Sequence, residues 1–305
     1  MLPILFWIPS FGRETVEYIP ASGGMPVGEW IIRFNHNYRV LASIIALILI
    51  ILNGYLLIQL NTVHIFIPYR TQLPLFFYTI LTICITQLNW LTPALVASTL
   101  IITQFYRVLS TYKNDGISIN ILDAGLLIAL SSLIYFPSIF FFICLLITLL
   151  FIRPFIWREW VFAFIGLLIP YAFAFSINYL LDKPASGLFN GMAADFKSLP
   201  VELKFSQIVN WSYVMFFMVV ASYYIAKAID SMKIHARKFF LVFLTFFVLS
   251  LLLFFVIRGG TGMIYIGSVP LAYLFTHYFV RCRRMWLNDI FFAVFIVLLI
   301  WQRID

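Results

Sequence analysis

Charge is what this chain has least of. Only 10% of its 305 residues are Asp, Glu, Lys or Arg, against 63% that are hydrophobic and a mean hydropathy of +1.01. Soluble domains carry about 25% charged residues, so the spare apolar surface here must face lipid. Histidine and cysteine are also sparse. His36, His64, His235 and His277 are scattered, and Cys84, Cys144 and Cys282 share no CxxC or His-linked spacing. That argues against a disulfide framework, a zinc site and a membrane di-iron centre, so neither metal nor cofactor is expected. HExxH, a Walker loop, GxSxG and a dinucleotide fingerprint are all missing. The net charge of +8 is spread over hinges with no basic tract, which points to membrane topology and away from nucleic acid.

What the chain does have is apolar runs. A core about 30 Å thick needs about 20 helical residues, and runs 40–60, 91–109, 160–180, 210–228, 239–257 and 263–280 are of that order. Run 73–85 is short and reads, with the run after the polar stop Gln87-Leu88-Asn89, as a helix hairpin. Run 121–152 would measure roughly 48 Å as one helix. Pro137 lies at its middle, removes a backbone donor and favours two limbs meeting at a corner. The last run, 290–301, is brief, and 1–9 is about half a span, either an interfacial stub or the remainder of a first helix. The 34 phenylalanines read as packing. The fold class expected is all-α: a polytopic transmembrane helical bundle of about 10 or 11 membrane segments, forming a single domain over 1–305.

With a corner at Pro137, Arg70, Arg107, Lys113, Arg153, Arg158 and the hinges 227–238 and 281–284 share one side. The tally of Lys and Arg is then twelve against eight, which assigns that side to the cytoplasm. A single span over 121–152 would flip everything upstream and leave the tally unchanged, so charge alone fixes only the second half. Under the corner reading, 10–39 and 181–209 are the two large extracytoplasmic loops, suited to short amphipathic helices on the membrane surface.

Loop 10–39 concentrates the polar chemistry. Glu14, Glu17 and Glu29 are candidate catalytic acids or bases, and Arg33 and Arg39, with Arg258 of the Arg258-Gly-Gly-Thr-Gly262 turn, are candidate clamps for a phosphorylated lipid. A solvated loop with its arginines at headgroup level is the plainer reading. Asp123 is expected in the first turn of a helix, capping it or serving a site. Asp123, Lys227 and His277 are the intramembrane polar candidates for a transport or lipid-translocation path. Arg153, Trp157, Arg158, Glu159 and Trp160 form an interface anchor or, for a scaffold, a partner-binding corner. No internal repeat is visible, which weighs against inverted transporter halves.

LDAGLLIALSSLIYFPS at 122–138, RPFIWREW at 153–160 and GLLIP at 166–170 resemble a family of polytopic inner-membrane proteins from Bacteroidota with no established function. The likeness is sharpest over 70–171 and implies a multi-pass protein of the bacterial inner membrane, with no site residue to carry over. The acidic first loop also looks like that of membrane glycosyltransferases that use polyprenyl-phosphate sugars, a fold-level analogy. What these resemblances imply is handling of a lipid-linked glycan in the cell envelope, with the bilayer and a polyprenyl-phosphate-linked substrate as partners. A transporter and a non-catalytic assembly factor are the alternatives.

Overall fold

The computed structural model describes residues 25–65, 67, 71–86, 91–111, 117–152, 155–182, 186–196, 205–228, 234–256, 262–281 and 285–304. Among them, α1 (Pro26–Asn37) is followed by α2 (Arg39–His64), α3 (Leu73–Thr86), α4 (Pro93–Leu109) and α5 (Ile117–Ile134). A 3-10 helix, Phe136–Phe140, leads into α6 (Phe141–Ile152), α7 (Trp157–Leu180), α8 (Ser186–Phe196), α9 (Phe205–Ala228), α10 (Ile234–Val256), α11 (Gly262–Arg281) and α12 (Met285–Ile304). No strand occurs among the described residues. Among the described residues, five helices (α2, α7, α9, α10 and α11) are long and apolar enough to cross a membrane, and shorter apolar helices lie in α3 to α6 and α12. The all-helical bundle expected from the sequence is what forms. Large side chains such as Leu168 (63% exposed), Phe173 (66%) and Phe255 (67%) point outward, an apolar surface suited to a bilayer.

The bundle has two ends, and short contacts show which hinge lies at which. At what we term the basic end, Arg107 pairs with Asp123 at 3.6 Å, and the His64 ring packs on Tyr106 and Phe239. Lys238 Nζ donates to the Ile152 carbonyl at that end, and Tyr224 OH to that of Arg281. At the opposite, corner end, Asn35 Nδ2 donates to the Leu91 carbonyl at 2.6 Å and Phe136 N donates to Asp195 Oδ2 at 3.0 Å. Helix α5 therefore runs from the basic end to the corner end, and α6 runs back. The chain reverses at the Pro137 corner, where Tyr135 is extended (φ −140°, ψ 99°) and the 3-10 helix takes over.

Two local expectations change. The limbs α3 and α4 do run in opposite directions, but α3 packs chiefly on α2 and α11, and α4 on α2, α5 and α11, so they are not a closed hairpin. Tyr78 still links them: its hydroxyl reaches across to Ser98 (3.3 Å) while Asn53 Nδ2 donates to both (3.1 Å each), a buried polar tie among α2, α3 and α4. Helix α5 starts at Ile117, so Asp123 lies in its second turn and is held by Arg107, not by the helix N-terminus.

Helix α11 is the axis of the bundle, buried without interruption from Met263 to Tyr278 and packed on α3, α4, α9 and α10. Its Tyr273 hydroxyl donates to the Leu57 carbonyl at 2.7 Å. Phe275 meets Phe77 and Phe217 at 5.7 and 4.6 Å, part of an aromatic collar that accounts for much of the phenylalanine excess.

Candidate functional site

At the corner end, three separate parts of the chain meet on one carboxylate. Asp195, near the end of α8, accepts the backbone N–H groups of Phe136 and Met25. Helix α8 thereby ties α1 to the proline corner. Glu29, half-buried on α1, lies close enough for its charge to act on Asp195. Burial, with the Glu29 charge in addition, pushes the Asp195 carboxyl up to about 6, the two backbone donors opposing the shift. Gly28 sits against the Ile134 carbonyl and Pro93, so α1 lies directly over the ends of α4 and α5. Ser138 Oγ, two residues beyond Phe136, is buried with no hydrogen-bond partner.

The predicted candidates divide around this site. Glu29 belongs to it. Arg33 pairs with Glu29 at 3.7 Å along α1, its own side chain 79% exposed, and Arg39 is exposed at the start of α2. Glu14, Glu17, Arg153 and Arg258 lie outside the described residues. Gly262, four positions after Arg258, abuts Ala94 and the Tyr135 ring, so α11 enters the bundle beside the site. Asp195 carries no distinguishing spacing in the sequence; it is one acid in a mixed loop, and only folding brings it to Phe136 and Glu29.

The intramembrane candidates do not gather. Asp123 is taken up by Arg107, Lys227 is exposed at the basic end, and His277 is buried on α11 with its ring 4.5 Å from Phe240. In the 153–160 corner, Trp157 and Arg158 are exposed, Trp160 packs on Phe155 at 5.1 Å, and Glu159 turns inward in the first turn of α7. A carboxylate there suits the positive end of the helix dipole. Among the described residues no group of three or more His, Cys, Asp or Glu side chains is placed to hold a metal.

Apolar helices running between two polar ends, with a carboxylate pair at one of them, define a polytopic integral membrane protein. The chain belongs to the family of unknown function DUF6427, whose sequence profile matches residues 25–304. No curated protein and no solved structure matches it.

Proposed function

We propose that this membrane protein acts on a lipid-linked glycan at its corner end, in the inner membrane of a bacterial envelope. The observation that carries the reading is the convergence of Glu29 on α1 and Asp195 on α8 beside the Pro137 corner, where the charge of the first acts on the carboxyl of the second. A carboxyl raised to about 6 exchanges its proton near neutral pH, as a general acid or base must. Arg33 and Arg39, with Arg258 ahead of α11, supply cations for a phosphate, and Glu14 and Glu17 precede α1 in the same loop. The test is the double variant Glu29→Gln with Asp195→Asn, with envelope glycans profiled by mass spectrometry. Loss of one glycan class with build-up of its lipid-linked precursor is expected; an unchanged profile from a folded double variant would overturn the proposal.

The reversal at Pro137 supports one sidedness. With α5 and α6 antiparallel, the helix ends at the basic end flank the sequence segments that hold twelve of the Lys and Arg residues, which supports a cytoplasmic basic end with loops 10–39 and 181–209 outside. Cysteine-accessibility labelling at Lys113, Arg237 and Lys183 checks it. The first two are expected in one compartment and the third in the other; labelling of Lys113 and Arg237 from opposite sides would sink the assignment.

One observation favours a second reading, a lipid or solute translocator. Asn53 Oδ1 and Gln104 Nε2 are buried between apolar spans without a hydrogen-bond partner, and polar groups at that depth often line a path. Transport lost in Asn53→Leu or Asp123→Asn, with the Glu29 and Asp195 variant unaffected, would support it over the glycan reading.

A further inference from the structure

Helix α1 has one face committed to the bundle and another turned away from it. Inward, Gly28 and Ile31 are buried, and the Asn35 side chain donates to the Leu91 carbonyl and accepts from its N–H. Outward, Val27, Trp30, Phe34 and Tyr38 follow one another at steps of three and four residues, which places them along one side of a helix. Trp30 and Phe34 stack with ring centroids 5.8 Å apart, and Phe34 meets Tyr38 at 5.5 Å. Trp30 is nevertheless 65% exposed, and Tyr38 and the neighbouring Arg33 are exposed with it.

We propose that α1 is an interfacial helix whose outer face seats in the phospholipid headgroup layer at the corner end, which puts Glu29 and Asp195 at headgroup depth. Three observations identify lipid as the occupant. The exposed stripe does not stop with α1: beyond Tyr38 it continues through Val40, Leu41 and Ile44 of α2, a helix long and apolar enough to cross a membrane. The stripe thus runs into a lipid-facing surface. Helix length then sets its height, because the 26 residues of α2 measure about 39 Å against a hydrocarbon core of about 30 Å, leaving Arg39 and the helix before it among the headgroups. The residue types suit that level, since Trp and Tyr rings favour the interface and arginine binds phosphate. Finally, the other short helix of the site repeats the arrangement: Phe189 of α8 is exposed, and its ring lies 6.0 Å from Phe175 of α7, a second spanning helix. Asp195 is therefore held between two short helices whose outward aromatics adjoin membrane spans. This placement goes beyond the glycan reading and does not depend on it.

The test is nitroxide depth measurement on the full chain in vesicles of phosphatidylglycerol and phosphatidylethanolamine. The native cysteines are replaced by alanine, and Trp30→Cys, Tyr38→Cys and Ile31→Cys are spin-labelled one at a time. Collisions with oxygen and with a water-soluble nickel chelate report the depth of each label. Those at 30 and 38 are expected about 5–10 Å into the boundary between headgroups and acyl chains, meeting oxygen more often than nickel. The label at 31 should meet neither. Val27→Cys reads the same face if Tyr38→Cys, at the bend between α1 and α2, does not fold. Labels at 30 and 38 that meet nickel more than oxygen would put the face in water and overturn the proposal. Labels there that meet neither reagent would show a protein surface covering the face, and would overturn it as well. The same depths are expected in the Glu29→Gln, Asp195→Asn variant, so an unchanged glycan profile would remove the acid and base assignment and leave the placement of α1 standing.

Discussion

Gly166→Ala is expected to destabilise the protein by about 3 kcal/mol, seen as a fall of roughly 5–10 °C in the thermal midpoint in detergent. Helices α5 and α7 run parallel and touch through two glycines: a Cβ at Gly166 would fall on the Leu122 carbonyl oxygen, and one at Gly125 on that of Ala163. Both obstacles are backbone, so no side chain can rotate out of the way. In lipid there is no hydrophobic force to press helices together, and close approach through small residues takes its place. The stake is large because α7 packs chiefly on α5, while only 17% of its spanning window is buried. Ser132 and Tyr171, joined at 2.7 Å further along the same pair of helices, would separate with it. Gly187→Ala is the control, since nothing lies within 4 Å of its Cβ. Equal midpoints for the two variants would show that the glycine contact is not what holds α7.

The architecture was legible in the sequence wherever one property decided it. Run length found five of the six spans it named, run 91–109 forming instead the shorter, 17-residue α4, and Pro137 set the reversal, because 121–152 is too long for one helix and a proline in mid-helix removes a hydrogen bond. The candidate site was legible only in part. Glu29 stood out through local density of charge, whereas Asp195 did not, since its role depends on backbone donors at Phe136 and Met25 that no spacing rule connects to α8. The same limit applied to Asp123: the sequence suggested a helix start, but its partner, Arg107, is set by the register of α4 against α5. Buried ties such as Asn53 with Tyr78 and Ser98 are likewise tertiary, being neutral residues in apolar runs until three helices meet.

Acidification from pH 7 to pH 5 is expected to raise the thermal midpoint of the wild-type protein, and to raise it much less in Asp195→Asn. The Asp195 carboxyl is pushed from its ordinary 3.8 to about 6, foremost by burial, so the folded protein takes up a proton that the unfolded chain does not yet hold. The direction is the reverse of the usual carboxylate case. Stability from this group is complete below the unfolded value and is lost as pH rises through about 6. Glu29 on α1 adds to the shift and is itself paired with Arg33, while the N–H groups of Phe136 and Met25 oppose it by favouring the anion. An amide at this position keeps an acceptor oxygen for those donors and removes the titration. Comparing the pH slopes of the two proteins therefore isolates Asp195 from every other group that titrates in the range. Identical slopes would mean that α1, the proline corner and α8 are held together without regard to the charge at their junction, and a proton-exchanging role for Asp195 would lose its physical basis.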